Sequence, residues 1–124
     1  NKKLARLMNS FSNYKVSMEE IHHTEKKDEP SGTAITLAEG IIQEKKGIDH
    51  WVLGSGNSNN LPIRSKREGK VPGTHIVTYS SAVDDIEIKH TAHSREGFAS
   101  GALMVAEWIL EKKGVLTMQD FLQI

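Results

Sequence analysis

The chain holds 124 residues with no cysteine, and its 16 basic side chains balance 16 acidic ones. That length supports one domain with a real core but not two full ones, and the charge balance provides no overall field toward nucleic acid or an anionic membrane, so any anion recognition must be local. The missing cysteines exclude disulfides, thiolate metal sites and cysteine nucleophiles, and fit a reducing compartment.

No apolar run approaches the roughly 20 residues that span a bilayer, and Asn1-Lys2-Lys3-Leu4 leads into polar sequence, not into a signal-peptide core. The expectation is a soluble, cytoplasmic protein with neither a nucleic-acid nor a membrane partner. Because the first residue is Asn and not Met, the numbering is expected to start inside a longer protein.

Leu4, Leu7, Met8 and Phe11 recur at helical spacing before Asn13, which predicts a helix from about Lys2 to Ser12. Tyr14, Val16, Met18 and Ile21 sit among polar residues in a near-alternating pattern, so an extended segment should arrive at His22-His23. Thr24 to Glu29 contains no apolar residue and Pro30 follows, which makes this stretch a loop. A second helix begins there, capped by Ser31 or Thr33, with an apolar stripe of Ile35, Leu37, Ala38, Ile41 and Ile42 that runs out near Gly47.

Trp51-Val52-Leu53 reads as a short strand before the loop Gly54 to Asn60. Three strands follow, at about Ile63 to Arg67, His75 to Ser80 and Asp85 to Ala92. The connections "EGKVPG" and "SAVDD" are short enough for adjacent antiparallel pairing. Helical spacing returns from Gly97 and stops at Lys112-Lys113-Gly114, with a last short helix over Met118 to Leu122. The fold class is α+β: a mixed, mostly antiparallel sheet of about four strands packed with helices.

One stretch concentrates chemistry. In "HHTEKKDEPSGTA", His22 to Ala34, histidine exchanges protons near neutral pH and lysine donates one or stands as a cation. Successive strand residues face opposite ways, so His22 and His23 share a pocket only if the strand ends or bulges between them. Ser31-Gly32-Thr33 at a helix start provides hydroxyls and unpaired N–H groups for a carboxylate or phosphate, or serves simply as a cap. Arg95 precedes the last long helix, where a guanidinium grips a carboxylate at two points or lies in solvent.

Two other patterns fail on context. Gly54-x-Gly56 lacks the third glycine and the following apolar helix of a dinucleotide fingerprint. His90 and His93 lack a third ligand at recognised spacing, so no metal site is expected.

"EIHHTEKKDEPSGTA" from Glu20 and "EIKHTAHSREGFASGA" from Glu87 resemble the dihydrodipicolinate reductases, also called 4-hydroxy-tetrahydrodipicolinate reductases. The family pattern is similar to E-x-H-H-x-x-K-x-D-x-P-S-G-T-A, with every fixed position met here. "REGKVPGTH" from Arg67 is similar to the family's R-x-G-x-x-x-G-x-H, so the likeness covers most of the chain. The resemblance implies that His22 is the acid/base histidine and Lys26 the proton donor, with Lys27 at a variable position. It implies that His23, Ser31, Gly32, Thr33 and Arg95 bind the substrate's carboxylates. Glu29 departs from the family, standing where many relatives carry a small residue.

The implied reaction is NAD(P)H-dependent reduction of a cyclic dicarboxylate to tetrahydrodipicolinate, in the diaminopimelate route to lysine. NADPH or NADH would be held mainly by the family's N-terminal Rossmann domain, which these residues do not include. The resemblance therefore implies that residues 1–124 form a substrate-binding and oligomerisation domain, inactive alone, of a homotetramer, with about 94–124 returning toward the cofactor domain. A non-catalytic dicarboxylate-binding or oligomeric assembly module is the alternative.

Overall fold

The computed structural model describes residues 1–123; Ile124, the last residue of the expected 94–124 segment, lies outside them. The chain divides into two compact units, Asn1–His93 and Ser94–Ile124.

In the first unit, helix α1 (Lys2–Leu7) leads through a 3-10 turn at Met8–Ser10 to strand β1 (Lys15–His22), followed by helix α2 (Gly32–Ile42). Four strands complete it: β2 (His50–Leu53), β3 (Asn60–Arg67), β4 (Gly73–Ser80) and β5 (Asp85–Ala92). They form a mixed five-stranded sheet in the order β2-β3-β1-β4-β5, one strand more than the sequence led us to expect. β2 is the short strand read at Trp51-Val52-Leu53, and it joins the sheet by running parallel to β3.

One expected pairing is not realised. The connection 68–72 does not join neighbours, because β1 inserts between β3 and β4, parallel to the former and antiparallel to the latter. β1 buries apolar residues on the face that α2 covers, so the central place in the sheet removes the most apolar surface from water. The connection between β4 and β5 does form the expected antiparallel hairpin.

The core gathers alternate strand residues against α1 and α2. Val16 and Met18 of β1, Leu61 and Ile63 of β3, and Val77 and Tyr79 of β4 meet Ala5, Met8, Ala34, Ala38 and Ile41. α1 is shorter than its spacing suggests, and because Ala5 and Met8, three residues apart, carry the buried face, Leu7 turns outward at 59% exposure. Phe11, beyond that turn, is exposed as well. α2 also stops early, at Ile42, where Gln43 continues the last turn. Ile21, grouped with the buried residues of β1 by sequence, falls on the opposite face, since burial in β1 alternates strictly from Val16 to His22.

The second unit contains helix α3 (Glu96–Trp108), a 3-10 turn at Ile109–Glu111 and helix α4 (Met118–Leu122). Thr117 and Asp120 cap α4 reciprocally, and Trp108 stacks edge-on against Phe121 with ring centres 5.5 Å apart. Among the described residues no helix is long and apolar enough to cross a membrane.

Candidate active site

β1 ends at His22, so His23 opens the loop and is free of the strand's alternation. The His23 carbonyl accepts the Lys26 N–H at 3.1 Å, which closes a turn. The same parity that buries Val16 and Met18 carries Glu20 and His22 to the α2 side of the sheet; Glu20 is fully buried and His22 nearly so. Glu19, one residue earlier, faces the other way and pairs with Lys66 at 2.9 Å in solvent.

Strand register builds the rest. Glu20 lies beside His75 of β4 and Ser65 of β3, and His22 lies beside Arg67. Glu20 Oε1 accepts from Arg67 Nη1 at 3.0 Å and from the Ser31 N–H at 3.4 Å, while Oε2 contacts His22 Nδ1. The His22 and His75 rings meet edge to face, centroids 5.1 Å apart. Gly73 faces His22: a Cβ there would lie 3.0 Å from His22 Nε2, so the glycine leaves room for the ring.

Ser31, not Thr33, caps α2. Its Oγ accepts the Ala34 N–H at 3.2 Å and lies 3.0 Å from His75 Nε2. Gly32 and Thr33 then form the exposed first turn of α2, and nothing lies within 4 Å of where a Gly32 side chain would begin. Helix geometry leaves their N–H groups without intrahelical partners, in an arrangement suited to an anion.

Arg67 ties the loop to this cluster. Its Nη2 donates to the Asp28 carbonyl at 2.6 Å and its Nε to the Lys26 carbonyl at 3.3 Å. The Lys26 ammonium donates to both Asp28 carboxylate oxygens, at 2.7 and 2.8 Å, which holds that carboxyl below its ordinary value. Two more contacts join the motif segments: Glu68 N–H donates to the His22 carbonyl at 2.7 Å and Thr24 N–H to the Gly69 carbonyl at 3.2 Å.

Burial pushes the Glu20 carboxyl up, but the neighbouring Ser65 hydroxyl, Arg67 and His22 outweigh it and hold it below the usual carboxylate range. Burial, reinforced by His22, pushes His75 down, with Glu20 partly opposing. Glu20, His22 and His75 offer donor atoms within 4.8 Å of one another, the one such grouping among the described residues, and His90 and His93 are not part of it. The grouping suits a proton better than a metal ion, because Arg67 already neutralises Glu20 and would repel a cation.

Six of the seven residues singled out from the sequence lie between His22 and Thr33 of the first unit. The seventh, Arg95, is in the second unit, where its carbonyl accepts the Phe98 and Ala99 N–H groups at 3.1 and 3.2 Å as α3 begins. Glu20, Arg67 and His75 had no role by residue chemistry alone. The signal for Glu20 was its parity with Val16 and Met18.

The fold is one that reductases use: a dipicolinate-bound dihydrodipicolinate reductase from Paenisporosarcina sp. TG-14 superposes with a TM-score of 0.66 at 22% identity, over 93% of this chain and 46% of that one. The family model described as "Dihydrodipicolinate reductase, C-terminus" matches residues 1–122, and the chain belongs to that family. A 4-hydroxy-tetrahydrodipicolinate reductase of Christiangramia forsetii is 51% identical over 98% of this chain and 51% of its own length. A protein of the same name from Methanosarcina barkeri is 40% identical over 90% of this chain and 44% of its own. The chain thus spans about half the length of the curated relatives it matches.

Proposed function

We propose that this chain is the substrate-binding and catalytic half of an NAD(P)H-dependent 4-hydroxy-tetrahydrodipicolinate reductase, reducing a cyclic dicarboxylate in the diaminopimelate route to lysine. The observation that carries the proposal is the joining of an acid/base histidine, an open helix start and a lysine loop through Glu20 and Arg67. The dipicolinate bound by the structural relative is a planar dicarboxylate of the required kind.

Gly54 to Gly56 lie between β2 and β3 with a strand following, and so form no strand-to-helix cradle for a pyrophosphate. The nicotinamide cofactor, NADPH or NADH, is accordingly assigned to a domain outside these residues; when bound, it supplies the hydride. In the proposal, the residues described here bind and protonate. The N–H groups of Gly32 and Thr33 take one substrate carboxylate, with His23 as a further donor contact, and Arg95 is proposed as a cationic contact for a carboxylate. Ser31 acts through its cap, which fixes the helix start. Lys26 exchanges Asp28 for the substrate and, with His22 as its acid/base partner, delivers the single proton that accompanies the hydride.

Pyridine-2,6-dicarboxylate titrated calorimetrically into the chain tests the binding half of this reading. Saturable binding that disappears in a His23→Ala, Arg95→Ala double variant supports it; binding unchanged in that variant refutes the site. With the chain joined to the dinucleotide-binding half of the Christiangramia relative, Lys26→Ala should lower turnover about a hundredfold to a thousandfold. Unchanged turnover removes Lys26 from the chemistry. Substrate-dependent NADPH oxidation by the joined protein separates a reductase from a non-catalytic binding or assembly module. Homotetramer formation, also proposed, is read by sedimentation of the same protein.

A further inference from the structure

We infer that Glu20 is a positioning residue that holds His22 in its Nδ1–H tautomer and so leaves Nε2 as the atom that exchanges the proton. The functional half of this statement rests on the acid/base role proposed for His22. The structural half stands on the geometry alone.

Glu20 Oε2 and His22 Nδ1 face each other, both atoms are buried, and neither has another hydrogen-bond partner among the described residues. An ionised carboxylate only accepts. A proton on Nε2 would set the Nδ1 lone pair against the carboxylate oxygen and leave both atoms unsatisfied in the interior. A proton on Nδ1 instead makes a charge-assisted bond. The remaining lone pair is then on Nε2, the ring atom that faces the side-chain-free position at Gly73. Glu20 is kept ionised by Arg67 on its other oxygen, and the depressed carboxyl value agrees.

This arrangement makes the isosteric variant informative. In Glu20→Gln, the Arg67 guanidinium and the Ser31 N–H both donate to the position of Oε1, so they select the amide oxygen for that side. The amide nitrogen must then point at His22 Nδ1. As a donor it forces the ring proton onto Nε2, inverting the tautomer, which is the consequence known for amide replacement of a histidine-orienting carboxylate.

The experiment is a long-range proton–nitrogen NMR correlation on the chain labelled with nitrogen-15 in its histidines, at a pH where the His22 ring is neutral. The wild type should show Nδ1–H in excess by about tenfold or more, and Glu20→Gln should show Nε2–H. A purely space-filling role for Glu20 predicts no inversion. Nε2–H in the wild type, or Nδ1–H retained in folded Glu20→Gln, overturns the inference. Should the variant fail to fold, the wild-type tautomer alone decides. The titration with pyridine-2,6-dicarboxylate is independent: failure to bind counts against the proposed function and leaves the tautomer result standing.

Discussion

Replacing Arg67 with Met keeps an unbranched stem and removes a guanidinium that does four things at once. It neutralises Glu20 at 3.0 Å, and it donates to the carbonyls of Lys66, Asp28 and Lys26 at 2.8, 2.6 and 3.3 Å. Arg67's side chain is 18% exposed and Glu20's not at all, so this is a buried pair broken from one side. Leaving such a charge without its partner costs about 3–5 kcal/mol, a large share of the roughly 5–15 kcal/mol that stabilises a domain. The loss should appear at pH 7 as a lower urea midpoint, read by Trp51 fluorescence in a Trp108→Phe background so that only the first unit reports.

The pH dependence identifies the cause. In the wild type the folded Glu20 value lies below the unfolded one, so its contribution is present above about pH 4.3 and lost as pH falls through the folded value. Without Arg67 the burial effect gains ground and the carboxyl rises, so the variant tolerates a protonated Glu20. The difference between the two proteins should therefore be largest at pH 7 and shrink toward pH 4. A penalty below about 1 kcal/mol at pH 7, or one that does not change with pH, would refute the account of Arg67 as the counter-charge of a buried carboxylate.

Three further perturbations follow from the same coordinates. The Tyr79 hydroxyl is buried without a partner, and burial pushes it up to about 12, so Tyr79→Phe should raise stability by about 1 kcal/mol; a comparable loss in urea denaturation would reveal a bond the fold conceals. Gly73→Ala drives a Cβ to 3.0 Å from His22 Nε2 and 3.3 Å from its Cδ2, which should cost about 1–3 kcal/mol and shift the His22 ring resonances. Unmoved resonances would mean that the β4 backbone yields instead. His75 has a folded value below the ordinary 6.5, so its contribution is present above that pH and is lost as pH falls below it. The stability difference between wild type and His75→Asn should narrow from pH 8 to pH 5, and parallel curves would exclude His75 as the source.

How much of this was legible beforehand depends on whether a residue acts through local pattern or through a partner distant in sequence. The hairpin of β4 and β5, the limits of β5 and those of α4 follow from alternation and capping within a few residues, and these came out as read. The place of β1 between β3 and β4 did not, because a short connection such as 68–72 is equally compatible with neighbours and with strands that flank a third. Only the competition among strands for the buried central position decides, and that is a property of the whole sheet.

The same distinction explains the site. The loop and helix start of the candidate site lie in one continuous stretch of sequence, whereas Arg67 and His75 reach Glu20 and Ser31 across 47 and 44 positions of sequence. Glu20 is the instructive case. Residues 16, 18, 20 and 22 share one face of β1, and a strict period of two would have carried the apolar reading of Val16 and Met18 directly to a carboxylate and an imidazole. Ile21 continues the apolar composition but not the period, and its side chain falls on the opposite face. A strand that brings two apolar residues and then a Glu and a His to one buried face must supply their partners from its neighbours. Here the neighbours at those register positions are Ser65, Arg67 and His75, so the polar end of the sheet is specified by strand pairing as firmly as the apolar core is by hydrophobic pattern.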